Sequence, residues 1–239
     1  GIVGQTTANA SKGGRSWTAS SPGQSVNYVE VHDGYTLWDK LNATNTFGLS
    51  ASIVQKWDRQ AAAITYLSQG LPFIQAGQEY LRSKKGNHNS YSPPESVTTV
   101  AGKLAWELDV SSLKWNQAYT NKLTVDYYKG LIQLRKAHPL LRLDNVDAIN
   151  GRYKWLSWSG GATTNALGFY YDRGDLVGDT WSNIAVGINP NSSSATLTLP
   201  NGGTWYVVVN DTKAGTSTIS QFTGSSVTVP ANSTIVVRQ

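Results

Sequence analysis

Ser25-Val26-Asn27-Tyr28-Val29-Glu30-Val31-His32-Asp33-Gly34-Tyr35-Thr36-Leu37-Trp38-Asp39-Lys40 is the stretch in which an extended apolar run gives way to a helical one. Val26, Val29 and Val31 are β-branched and suit a short strand buried in a sheet, here read as Val26 to Val31. Asp33 and Gly34 interrupt the run, after which Leu37, Trp38 and Leu41 recur at helical spacing. His32 and Asp33 therefore fall at the C-terminal edge of a strand, where barrels and open parallel sheets gather their functional groups. A competing reading makes Asp33 the N-cap of the helix that follows.

Downstream, Ile53, Trp57, Ala61, Ile64 and Leu67 lie three and four residues apart, which predicts an amphipathic helix over 51–69. Gly70 and Pro72 end it, and Leu71 to Ala76 reads as a second strand stopping at Gly77-Gln78-Glu79. Strand, helix, strand in that order implies parallel strands joined by a crossover. Residues 86–120 read as a long polar and aromatic loop, and loops of that length tend to be functional. A last helix, capped by Thr124 or Asp126, ends before Pro139, because the residue preceding proline is disfavoured in a helix. His138 is then a helix-end residue and not a ligand.

Three segments of this half carry a family resemblance. Tyr28-Val29-Glu30-Val31-His32-Asp33 with Tyr35-Thr36-Leu37-Trp38-Asp39-Lys40-Leu41 resembles a conserved region of the type I pullulanases, debranching members of the α-amylase superfamily. Gly70 to Arg82, with Ala76-Gly77-Gln78-Glu79 inside it, is similar to the last barrel strand of those enzymes and leads to Gly86-Asn87-His88-Asn89-Ser90-Tyr91. Tyr127 to Pro139 resembles the closing barrel helix of α-amylase-like enzymes. The resemblance implies that Asp33 stabilises an oxocarbenium-like transition state through sugar hydroxyls, that His32 binds the same sugar, and that Asn87, Asn89 and Tyr91 line the substrate cleft. It implies a structural role for Glu79. It also implies that the nucleophile and general acid of a retaining glycoside hydrolase lie on earlier barrel strands, upstream of residue 1. Gly34 stands where the family usually has Asn, and Val31 where a small polar residue is common, which leaves pullulan against branched starch or glycogen open.

After about Val146 charged residues thin out, and β-rich runs follow at Tyr153 to Trp158, Ala166 to Tyr171, Asn183 to Ile188, Ala195 to Leu199, Trp205 to Val209, Ser217 to Ile219, Val227 to Val229 and Thr234 to Val237. Turn-forming residues separate them at roughly ten-residue spacing, the pattern of an antiparallel sandwich. The fold class expected is thus α/β plus all-β: the last two strand-helix units of a (β/α)8 barrel over 1–146 and a C-terminal β-sandwich over 147–239, the latter able to fold alone.

Composition narrows the function classes. Across 239 residues, Lys+Arg 20 against Asp+Glu 15 gives a net charge of +5. That excess is dispersed, its adjacent basic pairs being Lys84-Lys85 and Arg135-Lys136, and reads as solvated surface and not a nucleic-acid footprint. The most apolar stretch, Ala61 to Ala76, is broken by Thr65, Ser68, Gln69, Gly70, Pro72 and Gln75, so no membrane partner is expected. With no cysteine, disulfide and thiolate chemistry are absent, which suits a secreted bacterial enzyme as well as a cytoplasmic one. The chain starts at Gly and has no Met, from which an upstream segment is expected. No cofactor is required by this reading and no metal ligand is assigned; Asp172, Asp175 and Asp179 match no calcium motif, and calcium stays open. The reading is the C-terminal portion of a glycoside hydrolase cleaving α-1,6 linkages in pullulan and related α-glucans, with an α-glucan and the upstream barrel segment as partners and inactive by itself. The alternatives are another α-amylase-superfamily enzyme and a non-catalytic carbohydrate-binding module.

Overall fold

The computed structural model describes residues 2–6, 18–160 and 163–239; part of the loop expected down to Pro22 lies outside them. Strand β1 (Val26–Asn27) pairs in parallel with β2 (Leu71–Pro72), in register Val26 to Leu71. Both strands are shorter than expected. One further bond, Phe73 N to Asn27 O at 2.9 Å, extends the pairing before the chains part. No other strand flanks the pair among the described residues, and Val26 and Leu71 remain 52% and 51% exposed. A β-branched run alone does not make a ladder; the ladder extends only as far as a partner strand runs beside it.

Helix α1 (Leu37–Ala43) starts at Thr36, whose Oγ1 accepts from Asp39 N at 3.1 Å. Helix α2 (Ala51–Leu67) buries Val54, Ala62, Ala63, Tyr66 and Leu67, whereas Ile53, Trp57 and Ala61 of the stripe expected to meet the core are only half-buried and Ile64 is exposed. Gly70, at φ +98°, turns the chain into β2; a Cβ there would lie 2.7 Å from Ser25 O. The segment read as a loop over 86–120 holds two helices, α3 (Val100–Val110) and α4 (Asn116–Thr120). Thr99 caps α3 by accepting from Gly102 N at 3.0 Å. Helix α5 (Lys122–Ala137) begins one turn before the Thr124 or Asp126 cap expected, because Asn121 precedes it and gives its side-chain amide to Tyr80 O at 2.9 Å. It ends at His138, extended at φ −116° and ψ 104° as a residue before proline should be.

Helices α2 and α5 pack through Tyr66 and Tyr128, edge to face at 6.2 Å, and through Arg135. That guanidinium donates to Tyr66 O at 2.9 Å, Ser68 O at 2.7 Å and Gly70 O at 2.6 Å, at and just beyond the end of α2, and to Leu141 O at 2.6 Å, beyond the end of α5. Arg135 is therefore buried and not part of a solvated pair.

A short helix α6 (Val146–Arg152), capped by Asn145, leads into two antiparallel sheets. Strands β3 (Tyr153–Trp155), β5 (Leu167–Asp172), β6 (Asn183–Asn189), β11 (Ser233–Arg238), β8 (Thr204–Val209) and β9 (Ser220–Thr223) form one, in the order β3-β5-β6-β11-β8-β9. Strands β10 (Ser226–Val229), β7 (Ala195–Thr198) and β4 (Trp158–Ser159) form the other. The Tyr153 to Trp158 run divides between the two sheets, and the strand expected at Ser217 to Ile219 falls at β9, with Ile219 N already bonded to Val207 O at 2.7 Å.

The central strands of the larger sheet are buried on both faces. Tyr170, Ala185, Trp205, Val207, Ile235 and Val237 meet Leu197, Leu199 and Val229 of the smaller sheet. At Gly168 a Cβ would come within 2.5 Å of Leu197, so glycine permits that approach. Phe169, Tyr171, Ile184, Val186, Val208 and Val236 face the other way and share one core with Ala62, Tyr66, Tyr127, Leu131 and Leu134 of α2 and α5. Gln60 Nε2 crosses this contact to Asn189 O at 2.9 Å and Ser233 O at 3.1 Å. His138 stacks on Trp181 at 3.6 Å, and its Nδ1 lies 2.8 Å from Asp179 Oδ1.

Candidate active site

The turn that follows β1 is built from the inside. Glu30 is buried and its Oε2 accepts from Leu37 N at the start of α1. Desolvation raises this carboxyl to about 7. Thr36 supplies the side-chain cap of α1, so Asp33 is not the N-cap. Asp33 and His32 instead project from the turn, their side chains 71% and 84% exposed, with Nε2 of the imidazole 3.5 Å from Oδ2 of the carboxylate.

A second loop is fastened onto that turn. Lys84, read from sequence as solvated, is fully buried: its Nζ donates to His32 O at 3.1 Å and to Ser90 Oγ at 2.8 Å. Ser90 Oγ lies 3.2 Å from the same His32 O. Gly34 N donates to His88 O at 3.2 Å, and the His88 ring sits against Tyr35 with centroids 3.8 Å apart. The Asp39 carboxylate accepts from Lys84 N at 2.7 Å and Ser83 Oγ at 2.5 Å. Burial, and then the neighbouring Arg82, lower the affinity of Lys84 for its proton, while Asp39, Glu30 and Asp33 oppose that. Farther out, Asp109 pairs with Lys85 and with Lys114, at 3.1 Å for the latter, and both bonds lower its pKa.

The remaining residues singled out from sequence divide. Asn87 and Asn89 are on the loop joined to the His32-Asp33 turn, but their side chains make local bonds: Asn87 Nδ2 donates to Lys84 O at 2.8 Å, and Asn89 Oδ1 accepts from Tyr91 N at 3.1 Å. Tyr91 follows with its ring 83% exposed. Glu79 Oε2 accepts from Gly77 N at 3.0 Å within its own turn. Asp172 accepts from Gly174 N at 2.9 Å, Asp175 pairs with Arg152, and Asp179 holds His138. Among the described residues, no three His, Asp or Glu side chains converge as a metal centre. Sequence reading missed Lys84, Ser90, His88 and Asp39; only Asp39, a polar residue between the apolar Leu37-Trp38 and Leu41, left a trace that periodicity can register.

Chemically, the turn offers an exposed carboxylate beside an exposed imidazole, able to accept from and donate to vicinal hydroxyls. Retaining glycoside cleavage needs two carboxyl groups roughly 5–5.5 Å apart; the described carboxylates nearest Asp33 in sequence, Glu30 and Asp39, are buried and bonded to backbone.

Comparison with known proteins falls on the same ground. Residues 173–213 match the pullulanase all-beta domain family. A pullulanase of Bacillus subtilis (strain 168) is 34% identical over 209 residues, 84% of this chain and 26% of that protein. The solved pullulanase from Bacillus acidopullulyticus superposes with a TM-score of 0.80 at 36% identity, covering 93% of this chain and 25% of that one. The pullulanase from Paenibacillus barengoltzii, solved in complex with maltohexaose and α-cyclodextrin, gives a TM-score of 0.77 at 31% identity, covering 100% of this chain and 33% of that one. The chain thus spans about a quarter to a third of the length of the proteins it matches.

Proposed function

We propose that this chain, which corresponds to the C-terminal portion of type I pullulanases, contributes one wall of the active site of a debranching glycoside hydrolase that cleaves α-1,6 linkages in pullulan and related α-glucans. Strands β1 and β2 with their helices are the last two strand-helix units of a (β/α)8 barrel, and the two antiparallel sheets are its C-terminal sandwich. The barrel segment that completes the fold is the chain's partner and carries the nucleophile and general acid. A polymeric α-glucan substrate is met outside the cell, which favours secretion from a bacterial cell over a cytoplasmic location.

The observation that carries the proposal is the freedom of Asp33. Thr36 caps α1, Lys84 and Ser90 hold the backbone carbonyl of His32, and the Asp33 carboxylate is left exposed at the end of β1. A carboxylate there accepts from sugar hydroxyls whose polarity grows as the anomeric carbon becomes cationic, an interaction stronger in the transition state than in the ground state. His32 hydrogen-bonds the same sugar, and Asn87, Asn89 and Tyr91 extend the wall along the glucan, Tyr91 offering a flat face to a sugar ring. The test is the Asp33→Asn variant of the full-length enzyme, assayed for reducing ends released from pullulan. Full turnover in that variant would reject the assignment.

A further inference from the structure

We propose that Lys84 is a positioning residue of this site: its buried ammonium, bound to His32 O and Ser90 Oγ, fixes the backbone that presents Asp33 and locks it to the Asn87–Tyr91 loop. The inference rests on the reading of Asp33 given above. It begins from cost, since taking a lysine ammonium out of water is unfavourable unless its donors are satisfied, and Lys84 has no exposed surface. It is also not held in a direct ion pair, because both acceptors of its Nζ are neutral. One of them is the carbonyl of the residue immediately before Asp33. The other, Ser90 Oγ, contacts the same carbonyl at 3.2 Å, so ammonium, hydroxyl and carbonyl close a three-membered ring of contacts between the two loops.

Several restraints converge on the same backbone. Asp39 holds the main-chain nitrogen of Lys84 and Ser83 Oγ, which anchors the base of the lysine to α1. Gly34 N, one residue beyond Asp33, donates to His88 O on the second loop. Asp33 is thus bracketed: the carbonyl before it is held by Lys84, and the amide after it is held by the loop whose fold Lys84 shares. A charge-assisted bond to a carbonyl is stronger than a neutral one, and a neutral side chain of similar length would leave His32 O with Ser90 alone. Displacing a reacting group by a fraction of an ångström costs turnover more than binding.

The experiment compares Lys84→Met, Ser90→Ala and Asp33→Asn in the full-length enzyme, reading kcat and KM on pullulan and amide hydrogen exchange at Gly34. Lys84→Met should lower kcat about tenfold or more with KM within about twofold, and should speed exchange at Gly34 while exchange in α2 and α5 stays slow. Ser90→Ala, at a half-buried position, should move both readouts the same way by less, and it decides the matter should Lys84→Met fail to fold. Unchanged kcat and unchanged Gly34 exchange in the lysine or serine variant, beside an inactive Asp33→Asn, would overturn the role of Lys84 and leave that of Asp33 standing. If Asp33→Asn is fully active, the functional reading falls, and Gly34 exchange alone decides whether Lys84 holds the turn.

Discussion

Asp33 and His32 are neighbours with unequal tasks, and the difference is measurable. Because Asp33 carries no capping bond and is exposed, Asp33→Asn changes charge without disturbing α1. Turnover on pullulan should fall by at least about a hundredfold, roughly 2.7 kcal/mol, with the thermal midpoint unmoved. A loss under about tenfold would assign Asp33 to local structure instead. His32→Ala removes one hydrogen bond to the sugar but not the carboxylate that faces the developing positive charge, so its defect should be the smaller of the two. Equal or larger loss in His32→Ala, measured on the same α-1,6-linked substrate, would exchange the two roles. The exposed pair was legible in the sequence because a strand-to-helix switch brackets it. Lys84 was not, since Lys84-Lys85 looks the same whether both lysines are solvated or one is buried under a carbonyl; only Lys85 turns out to be exposed, paired with Asp109.

Between α2 and α5 the elements enclose a carboxylate that the functional reading does not use. Asp58 has no exposed surface, accepts from Tyr128 OH at 3.1 Å, and leaves Oδ2 without a partner, as does the neighbouring Gln78 Oε1. Gln78 Nε2 donates to the same Tyr128 OH at 2.9 Å. Desolvation raises Asp58 from 3.8 to about 8. With a folded pKa above the unfolded one, the unfolded chain releases this proton first, so stability falls as pH rises from about 4 to about 8 and the full penalty is present above that window. The slope is at most about 1.4 kcal/mol per pH unit, and Glu30, raised from 4.5 to about 7, adds to it over its own narrower range. Asp58→Asn keeps an acceptor for Tyr128 and cannot ionise. Its advantage over the parent should grow by more than about 1 kcal/mol between pH 5 and pH 8 in urea unfolding; parallel curves would mean that Asp58 is not protonated in the folded chain.

The same elements mark where periodicity informs and where it fails. Helices α2 and α5 were legible as helices from their 3.6-residue period, but the face of α2 was misread: of Ile53, Trp57, Ala61, Ile64 and Leu67 only Leu67 is buried, and the core is met instead by Ala62, Ala63 and Tyr66. Helix α3 was not legible, for Val100, Leu104 and Leu108 are all exposed, Gly102 interrupts it, and little packing imprints a face on it. Strands β1 and β2 were over-read for the opposite reason. Their β-branched and apolar residues record what they are suited to pack against, whereas ladder length depends on strands that local sequence does not contain.

At the scale of the molecule, the division near Val146 separates two kinds of secondary structure without separating two cores. The central strands of the six-stranded sheet are covered on both faces, while its edge strands β3 and β9 are largely exposed. The smaller sheet covers one face, and α2 and α5 cover the other through Phe169, Tyr171, Ile184, Val186, Val208 and Val236. Removing the helices would expose six large apolar side chains in one contiguous patch and strip Asn189 O and Ser233 O of their bonds to Gln60. The expectation that 147–239 folds alone therefore meets a physical objection. Expressed by itself, this segment should bind a hydrophobic dye and unfold with a broad, weakly cooperative transition, while the chain that keeps α2 and α5 should melt sharply. Leu131→Ala in that longer chain makes the same point gently, because Leu131 is fully buried in the shared core and lies on α5. It should cost about 2–5 kcal/mol, and the destabilisation should be read equally by tryptophan probes in the sheets and by helical circular dichroism. Loss of the helical signal with the sheet signal intact would show instead that the two units melt apart and that the shared core does not couple them.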